Sequence, residues 1–562
     1  MRVTAMPVSY PSAPLPTPPE DVVGRLPRPV DARLRSFWSR AGWWLLPPLV
    51  LAILGGWVVA RRHGLWYDEL YTAQVAPLPI GRIASAIFHG EGTIAYLSDA
   101  PPSYNGPYYL FTHLWLTVTR LPADEVGLRL LSLVAAVGGL GAFTRAIGRL
   151  AGPGVAVVAG LVAATNPLVV QYSAEARGYG LALLATSLTA LGLARWLDGE
   201  PRSLLLYGLA GAAAGLAHWF ALLVLGGLAV AAVVLRHRRA VPVVAVTAAA
   251  ALPAVALVVL AVANGVGASG VWWLADVGGA VPRLLLRSWA GGQEPLMILT
   301  LVAATAGVVV GARDRPAAPS PAAPDADPPA ARVGATPDAP DADPPSARVV
   351  DAPDADRPAG RLGVARFVGA CWFGIPLAVV TVAELVRPVY VDRYLLPALL
   401  GLAVLVAIGV TRAPRRLVPA ALVVVLGASL WATVAETRLG AKEDVRGAVA
   451  AVAAGHRSGQ PVVAAARWDA LGVDHYARAD HPDLVADLVL PPAVVPAAAT
   501  VWVVRREKDG VKGDRDKLAV LDADLLGRGL RLTEELRFGG RYSDTLVQRW
   551  DVAPSGAPPA GA

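Results

Sequence analysis

Long apolar stretches of about 18 to 23 residues recur along the chain between residues 43 and 435. A helix needs about 20 apolar residues to cross a bilayer, because the hydrocarbon core is roughly 30 Å thick and a helix rises about 1.5 Å per residue. The composition agrees, since 55% of the residues are hydrophobic, 17% are charged and the mean hydropathy is +0.50. Soluble proteins average about 25% charged residues. The sequence therefore predicts an all-α polytopic membrane protein.

These stretches predict roughly eleven membrane-spanning helices. Their predicted bounds are 43–60, 126–148, 153–171, 178–196, 203–219, 220–235, 241–263, 295–312, 365–386, 393–411 and 416–435. Residues 61–124 are less apolar, contain several prolines and include an amphipathic stretch at 108–116. We expect them to form the first extracytoplasmic loop, with helices lying in the membrane interface where Tyr and Trp are favoured.

Arginine residues lie at alternate ends of the predicted spans. With the N-terminus inside, every cytoplasmic connection is basic, as the positive-inside rule requires. The residues concerned are Arg145, Arg149, Arg195, Arg202, Arg236, Arg238, Arg239, Arg313, Arg315, Arg361, Arg366, Arg412, Arg415 and Arg416. Counting residues 106–120 as a span would invert every later span and remove this agreement. We therefore predict a multi-pass protein of the cell membrane with a cytoplasmic N-terminus.

The polar segments divide the chain into further predicted regions. Residues 1–42 are rich in proline and then basic, which is typical of a disordered cytoplasmic tail. Residues 313–363 repeat Pro-Asp-Ala-Asp in an alanine and proline background, which predicts a disordered cytoplasmic insertion. This insertion separates a membrane core at 43–312 from C-terminal transmembrane helices at 364–435.

Residues 436–562 change in character and predict a small extracytoplasmic α/β domain. Helical spacing covers residues 444–456, whereas residues 461–468, 500–506 and 545–550 have the composition of short strands.

The composition argues against several classes of function. The net charge of +7 comes mostly from arginines at the ends of apolar stretches, so membrane topology explains it and nucleic acid is not indicated. Cys371 is the only cysteine, which excludes an intrachain disulfide and a cysteine metal site. The eight histidines show no HExxH spacing, and the C-terminal region has no GxGxxG turn. Neither a zinc site nor a nucleotide site is therefore predicted.

Two adjacent carboxylates, Asp68 and Glu69, follow the first predicted span. Carboxylates at a membrane surface are costly unless they are paired, solvated or used, which makes this pair a functional candidate. The alternative, to which the local sequence gives equal weight, is that Asp68 caps a short interfacial helix.

A second polar cluster on the same predicted side contains Glu175, Arg177 and Tyr179. Glu175 and Tyr179 are four residues apart and would share one face of a helix, with Arg177 pointing elsewhere. The alternative is a local ion pair beside a tyrosine of the interfacial aromatic belt.

A third cluster, Arg393 and Tyr394, has the same two interpretations, and His218 is more typical of packing than of chemistry. A catalytic pocket accounts for such distant clusters on one side of the membrane better than scattered helix caps do. The tryptophans that would line a carbohydrate path, with belt packing as an equal alternative, are Trp66, Trp272 and Trp273.

Several of these segments look like sequence motifs of one enzyme group. They are the Asp-Glu motif at 65–73, the acidic motif at 99–102 with 108–115 after it, the start of a span at 129–133, and the signatures at 171–179 and 392–397. Together they resemble the GT-C superfamily of membrane glycosyltransferases, near the protein O-mannosyltransferases of glycosyltransferase family 39 and the aminoarabinose transferases of lipid A. The chain departs from the pattern at Ala100, where relatives often carry His or Lys, and at residues 103–105, which look like an insertion.

The resemblance implies the GT-C fold and a sugar-transfer reaction. Enzymes of this kind take a sugar from a polyprenyl-phosphate carrier and invert its anomeric centre. The implied partners are the bilayer, a polyprenyl-phosphate sugar with mannose or a pentose as the leading guesses, and a cell-envelope glycan, lipid or protein acceptor at the outer face.

The resemblance also implies roles for the clustered residues. Asp68 would be the base for the acceptor hydroxyl, with Glu69 or Asp99 orienting the acceptor or supporting a metal. Arg177 and Arg393 would hold the departing phosphate, because guanidinium groups match phosphate oxygens. The other predicted members of the donor site are Glu175, Tyr179 and Tyr394. No resident cofactor is implied, although a divalent cation, Mg²⁺ or Mn²⁺, stays an open alternative.

Two rival functions belong to other classes. A transporter or flippase of lipid-linked sugars would have charges within its spans and inverted repeats, and the sequence shows neither. A non-catalytic envelope scaffold is favoured only by Ala100 and is disfavoured by the retained Asp68, Arg177 and Arg393.

Overall fold

The computed structural model describes residues 42–61, 63–265, 277–313, 358–507 and 512–552. Most of the predicted N-terminal tail and of the predicted insertion lies outside the described residues, as do Trp272 and Trp273. The last residues assigned to the insertion, 358–363, begin a helix instead.

Helices make up the described chain as far as residue 438. They are α1 (Leu46–Ala60), α2 (Tyr67–Val75), α3 (Ile80–His89), α4 (Gly106–Thr119), α5 (Glu125–Ala151), α6 (Pro153–Ala164), α7 (Pro167–Ser173), α8 (Tyr179–Leu197), α9 (Ser203–Ala217), α10 (Ala221–Leu235), α11 (Val241–Ala263), α12 (Val281–Trp289), α13 (Glu294–Arg313), α14 (Pro358–Glu384), α15 (Leu399–Thr411) and α16 (Val418–Arg438). Short 3₁₀ turns lie at Trp43–Leu45, Ala95–Leu97, Pro102–Asn105, His237–Arg239, Gly278–Ala280 and Asp392–Ala398.

Seven of the described helical segments are long and apolar enough to cross a membrane, or up to nine if each of two bent pairs is one span. The seven are Trp43–Ala60, Glu125–Ala151, Tyr179–Leu197, Val241–Ala263, Gly360–Glu384, Asp392–Thr411 and Val418–Arg438. The prediction of many apolar helices is confirmed, but the predicted total of roughly eleven is not. The difference lies in α9 and α10, which have 15 residues each and are shorter than a spanning helix.

The predicted span 153–171 is a bent helix pair, α6 and α7, and the predicted span 295–312 is the second helix of another bent pair, α12 and α13. Pro167 follows the end of α6, and the Asn166 side chain caps α7 by accepting the next two backbone N–H groups at 3.0 and 3.2 Å. The resulting bend between α6 and α7 is 68°. Between α12 and α13, Gly291 and Gly292 have φ values of 57° and 76°, and the helices meet at 106°. A separate non-helical turn, residues 174–178, follows α7.

The spanning helices pack through small residues. A Cβ added at Gly139 of α5 would lie 2.7 Å from Leu184 Cα of α8, and one added at Gly180 would lie 2.1 Å from the Ser132 carbonyl oxygen. The two backbones therefore touch directly, as small residues allow in membrane helices. The Asp392–Thr411 segment is the most enclosed span, with 89% of its apolar window buried.

The predicted first loop contains three short helices, α2, α3 and α4, of 9, 10 and 14 residues. None has the length of a spanning helix.

The C-terminal region after α16 contains the described β-sheet. Its elements are α17 (Val445–Gly455), β1 (Val462–Ala464), α18 (Arg467–Asp480), a 3₁₀ turn at Pro482–Asp487, β2 (Leu488–Val489), β3 (Thr500–Glu507), α19 (Lys512–Gly527), β4 (Leu530–Phe538) and β5 (Asp544–Val552). The strand order is β2-β1-β3-β5-β4. β1 is parallel to β2 and β3, whereas β5 is antiparallel to β3 and β4.

The predicted strands in this region are confirmed in part. Residues 500–506 and 545–550 lie in β3 and β5. The strand predicted at 461–468 is wrong beyond Ala464, because α18 begins at Arg467. β4 was not predicted, since it is largely exposed and its charged residues hide the alternation of a buried strand.

The C-terminal region shares one hydrophobic core with the first loop. The members of this core include Leu65, Leu70, Tyr71, Tyr109, Val445, Val449, Leu471, Tyr476 and Trp502. The Leu65 N–H also donates to the Tyr476 hydroxyl at 2.5 Å. Helix α2 is therefore held from the C-terminal side as well as from the membrane helices.

We expect Gly139→Ala to destabilise the fold by about 1–3 kcal/mol, because the new methyl group would overlap the backbone of α8. Gly138→Ala is the matched control, since a Cβ there would meet only the tip of Leu184 at 3.6 Å. Thermal unfolding in detergent should show a clear loss for Gly139→Ala and little change for Gly138→Ala. Equal unfolding temperatures for the two variants would contradict this packing.

Candidate functional site

The acidic pair lies in the first turn of α2. Trp66 is the N-cap residue, in an extended conformation, and its backbone N–H donates to Glu69 Oε2 at 3.5 Å. Asp68 is the second residue of the helix, so the alternative that Asp68 caps it is wrong. Its carboxylate projects from the positive end of the helix dipole, where negative charge is stabilised.

Glu69 is buried and pairs with Arg129 of α5. Arg129 Nε and Nη2 donate to the two carboxylate oxygens at 2.8 and 2.5 Å, and the Ala176 N–H donates to Oε1 at 2.9 Å. Burial alone would raise the pKa of Glu69, but the Arg129 guanidinium and the Ala176 hydrogen bond hold that pKa below its ordinary value. Glu69 is therefore a buried anion whose two oxygens are both occupied.

The same arginine holds the segment before α2. Arg129 Nη1 donates to the His63 carbonyl at 2.8 Å, and Nη2 donates to the Gly64 carbonyl at 3.2 Å. One guanidinium thus joins α5, the start of the loop and α2.

Asp68 lies between two arginines that are far from it in sequence. Its Oδ2 is 3.8 Å from Arg177 Nη2 and 4.0 Å from Arg393 Nη2. The three side chains are only 15%, 10% and 13% exposed. Three of the predicted site residues are therefore brought together, at separations longer than a direct hydrogen bond.

Arg177 belongs to the non-helical turn between α7 and α8. Its Nη1 donates to the Tyr109 hydroxyl at 3.1 Å, and its carbonyl accepts from Ser132 Oγ at 2.9 Å. Because residues 174–178 are not helical, the prediction that Glu175 and Tyr179 share a helix face is wrong.

Arg393 lies in the 3₁₀ turn that leads into α15. Its Nε donates to the Tyr179 hydroxyl at 3.0 Å. Its guanidinium carbon is 5.5 Å from the Trp66 ring centroid and 5.7 Å from that of Tyr394. Such cation–π contacts fix the position of a cation while it keeps its charge.

His218 packs among aromatic rings beside this arginine. Its ring centroid is 5.4 Å from Tyr179, 5.1 Å from Tyr394 and 5.9 Å from Phe220. These rings form one wall of the site, with the Tyr179 hydroxyl directed at Arg393.

Glu175 pairs with Lys442, a residue that the sequence did not indicate. Lys442 lies in the short connection between α16 and α17, and the two side chains are 4% and 8% exposed. No local motif marks Lys442, because its partners are hundreds of residues away in sequence.

Asp99 contacts a different region. Its carboxylate is 60% exposed and accepts from Arg467 Nη1 at 2.6 Å. Asp99 therefore pairs with α18 of the C-terminal region, whereas Asp68 faces Arg177 and Arg393.

The side chains around Asp68 do not fit a divalent cation. Magnesium and manganese require several oxygen ligands, whereas two guanidinium groups face Asp68. In the part of the chain that the structure describes, no three His, Cys, Asp or Glu side chains come close enough to hold a metal ion.

Comparison with solved structures identifies the fold. No family model matches the sequence, and no curated protein is similar to it. ArnT from Cupriavidus metallidurans aligns over 91% of this chain and 98% of its own at a TM-score of 0.52 and 14% identity. The same protein bound to undecaprenyl phosphate aligns over 92% of this chain and 100% of its own, with a TM-score of 0.52 and 13% identity.

A second neighbour is the oligosaccharyltransferase AglB from Archaeoglobus fulgidus, solved with an inhibitory peptide and a dolichol-phosphate. It aligns over 93% of this chain and 76% of its own at a TM-score of 0.50 and 10% identity. Both neighbours are GT-C superfamily members, so the resemblance stated from the motifs is confirmed at the level of the fold.

We expect Arg129→Met to destabilise the protein by about 3–5 kcal/mol, because it leaves the Glu69 carboxylate buried without its counter-charge. Arg149→Met, at the other end of α5, is the matched control. Arg149 is 38% exposed and pairs with Asp198 and Glu200 at the surface, so its loss should cost only about 0–1 kcal/mol. Thermal unfolding in detergent measures both. A similar loss for the two variants would contradict the role of the buried pair.

The lowered pKa of Glu69 predicts a pH dependence of stability. The folded state holds the Glu69 charge to lower pH than the unfolded state does, so its contribution is fully present above the unfolded pKa near 4.5. That contribution is lost as the pH falls through the lowered folded value. The difference in unfolding temperature between wild type and Glu69→Gln should therefore shrink between pH 7 and about pH 3.5. A constant or growing difference would show that Glu69 is not held as a buried anion.

Proposed function

We propose that this protein is an inverting glycosyltransferase that moves a sugar from a polyprenyl-phosphate carrier to an acceptor at the outer face of the cytoplasmic membrane. The observation that carries the proposal is a carboxylate between two guanidinium groups, Asp68 with Arg177 and Arg393, at 3.8 and 4.0 Å. This arrangement occurs in a fold shared with ArnT bound to undecaprenyl phosphate and AglB bound to a dolichol-phosphate.

Asp68 is the proposed general base. It accepts the proton of the acceptor hydroxyl while the acceptor oxygen forms a bond to the anomeric carbon of the sugar. The bond from that carbon to the carrier phosphate breaks at the same time, and a single displacement of this kind inverts the anomeric centre. A positioned carboxylate contributes about 10²–10⁴-fold to such a step.

Arg177 and Arg393 are the proposed ligands of the departing phosphate. Their guanidinium forks match phosphate oxygens, and both are held by tyrosine hydroxyls, from Tyr109 and Tyr179. When no donor is bound, the Asp68 carboxylate is the counter-ion of both arginines. A bound phosphate takes over as the counter-ion of the arginines, and this leaves the Asp68 carboxylate free to accept from the acceptor hydroxyl.

The neighbouring residues support this arrangement in different ways. Glu69 has both oxygens engaged, so its proposed role is to hold α2 rather than to contact the acceptor. Tyr179 and Tyr394 are proposed to border the phosphate and the sugar. Asp99 is the second candidate for the base. Mannose or a pentose is the proposed sugar, and a cell-envelope glycan, a lipid or a protein hydroxyl is the proposed acceptor.

We expect Asp68→Asn to reduce transfer by about 100-fold or more in a protein that still folds, because Asn keeps the shape but cannot take the proton. The assay supplies purified protein with radiolabelled polyprenyl-phosphate mannose, polyprenyl-phosphate pentose or undecaprenyl-phosphate aminoarabinose, together with cell-envelope extract. Label leaving the carrier is measured. Glu91→Gln, an exposed carboxylate of the same loop, is the control.

Asp99→Asn tests the rival base in the same assay. Loss of transfer in Asp99→Asn with normal transfer in Asp68→Asn would move the base to Asp99. No transfer by wild type from any of the three donors would count against the proposed reaction.

A further inference from the structure

Lys442 is a buried cation in the connection between α16 and α17. Its side chain is 8% exposed and contacts Glu175. Its ammonium nitrogen lies 4.2, 4.8 and 5.3 Å from the ring centroids of Trp66, Tyr172 and Tyr542. Aromatic rings on several sides of one cation form an aromatic cage, which holds that cation tightly when water is excluded.

The backbone around Lys442 is held as firmly as its side chain. The Lys442 carbonyl accepts from the Tyr542 N–H at 3.0 Å, and the Ala441 carbonyl accepts from the Arg541 N–H at 3.1 Å. The Tyr542 and Tyr172 hydroxyls lie 3.3 Å apart. The C-terminal region thus supplies the cation and one ring of the cage, while the membrane part supplies Tyr172 and Glu175.

Trp66 connects this cage to the proposed site. Its indole lies between two cations, 4.2 Å from Lys442 and 5.5 Å from the guanidinium carbon of Arg393. Trp66 is also the N-cap of α2, two residues before Asp68. A movement of this ring would therefore disturb the cation–π contact of Arg393 and the first turn of α2, which carries Asp68.

We infer that Lys442 is a positioning residue of the site, which acts through the Trp66 indole to hold Asp68 and Arg393 at their working separation. The inference rests on the proposed function for its consequence in catalysis. It assigns a role in the reaction to the C-terminal region, whose removal would open the cage around Lys442.

A variant at Arg446 distinguishes a positioning role of Lys442 from simple attachment of the C-terminal region to the membrane part. It also joins the C-terminal region to the membrane part, through Glu125 at 3.2 Å, and it pairs with Asp480 at 2.9 Å. The guanidinium of Arg446 also lies over the Tyr476 ring, at 5.7 Å from its centroid, rather than over Trp66. Loss of Arg446 therefore weakens the attachment of the two parts without touching the indole.

The test compares Lys442→Met/Glu175→Gln with Lys442→Arg and Arg446→Met. The double variant removes both buried charges together, so that neither is left unpaired and the protein can fold. We expect its kcat to fall by about 10–100-fold with KM for the donor little changed, because the reacting groups are misplaced rather than absent. Lys442→Arg keeps the cation over the rings and should restore most of the lost kcat. Arg446→Met should retain the wild-type kcat.

Hydrogen exchange of peptides covering residues 67–73 gives a second readout that needs no donor. Exchange should rise in the double variant and stay at the wild-type rate in Arg446→Met. Unchanged kcat and exchange in the double variant, or equal effects in Arg446→Met, would overturn the inference while leaving the proposed reaction intact. If wild type transfers no sugar but exchange rises only in the double variant, the proposed reaction fails and the structural link from Lys442 to α2 stands.

Discussion

The buried ion pair between Glu69 and Arg129 is the interaction on which the site depends. Two charges removed from water are stable only when each meets the other and further hydrogen bonds satisfy the remaining atoms. Here Arg129 also binds the carbonyls of His63 and Gly64, and Glu69 accepts from the Ala176 N–H. One pair thereby fixes α2, α5 and the turn after α7 relative to one another. Asp68 is next to Glu69 in sequence and Arg177 is next to Ala176, so the pair also fixes the positions of these two side chains' backbones.

Two interruptions between helices carry the arginines of the proposed site. Non-helical backbone beside a membrane needs partners for its polar groups. The turn after α7 finds them in Glu69, Ser132 and Thr72, whose hydroxyl donates to the Ala176 carbonyl at 3.2 Å. The 3₁₀ turn before α15 brings Arg393 to the same place. Irregular segments thus hold the two arginines of the proposed site, while the continuous helices hold those segments.

Much of the fold can be predicted from the sequence, because a spanning helix needs a sufficiently long apolar stretch and such a stretch is visible in consecutive residues. The spans at α5, α8 and α11 are predicted to within a few residues by their apolar composition. The bends between helices are harder to predict, although the pairs Asn166-Pro167 and Gly291-Gly292 are typical of helix breaks. The end of the strand at Ala464 depends on α18 packing against the loop, which the local residues do not reveal. For the site, the motifs point to Asp68, Arg177 and Arg393, whereas Lys442 and the pairing of Arg129 depend on contacts between distant segments.

The proposed roles of Asp68, Arg177 and Arg393 are tested most directly by a cryo-electron microscopy structure with a non-hydrolysable polyprenyl-phosphonate sugar bound. We expect phosphonate oxygens roughly 2.7–2.9 Å from guanidinium nitrogens of Arg177 and Arg393. We also expect the anomeric carbon on the side of Asp68, with room for an acceptor hydroxyl between them. A headgroup bound away from both arginines, or an anomeric carbon facing away from Asp68, would contradict these roles.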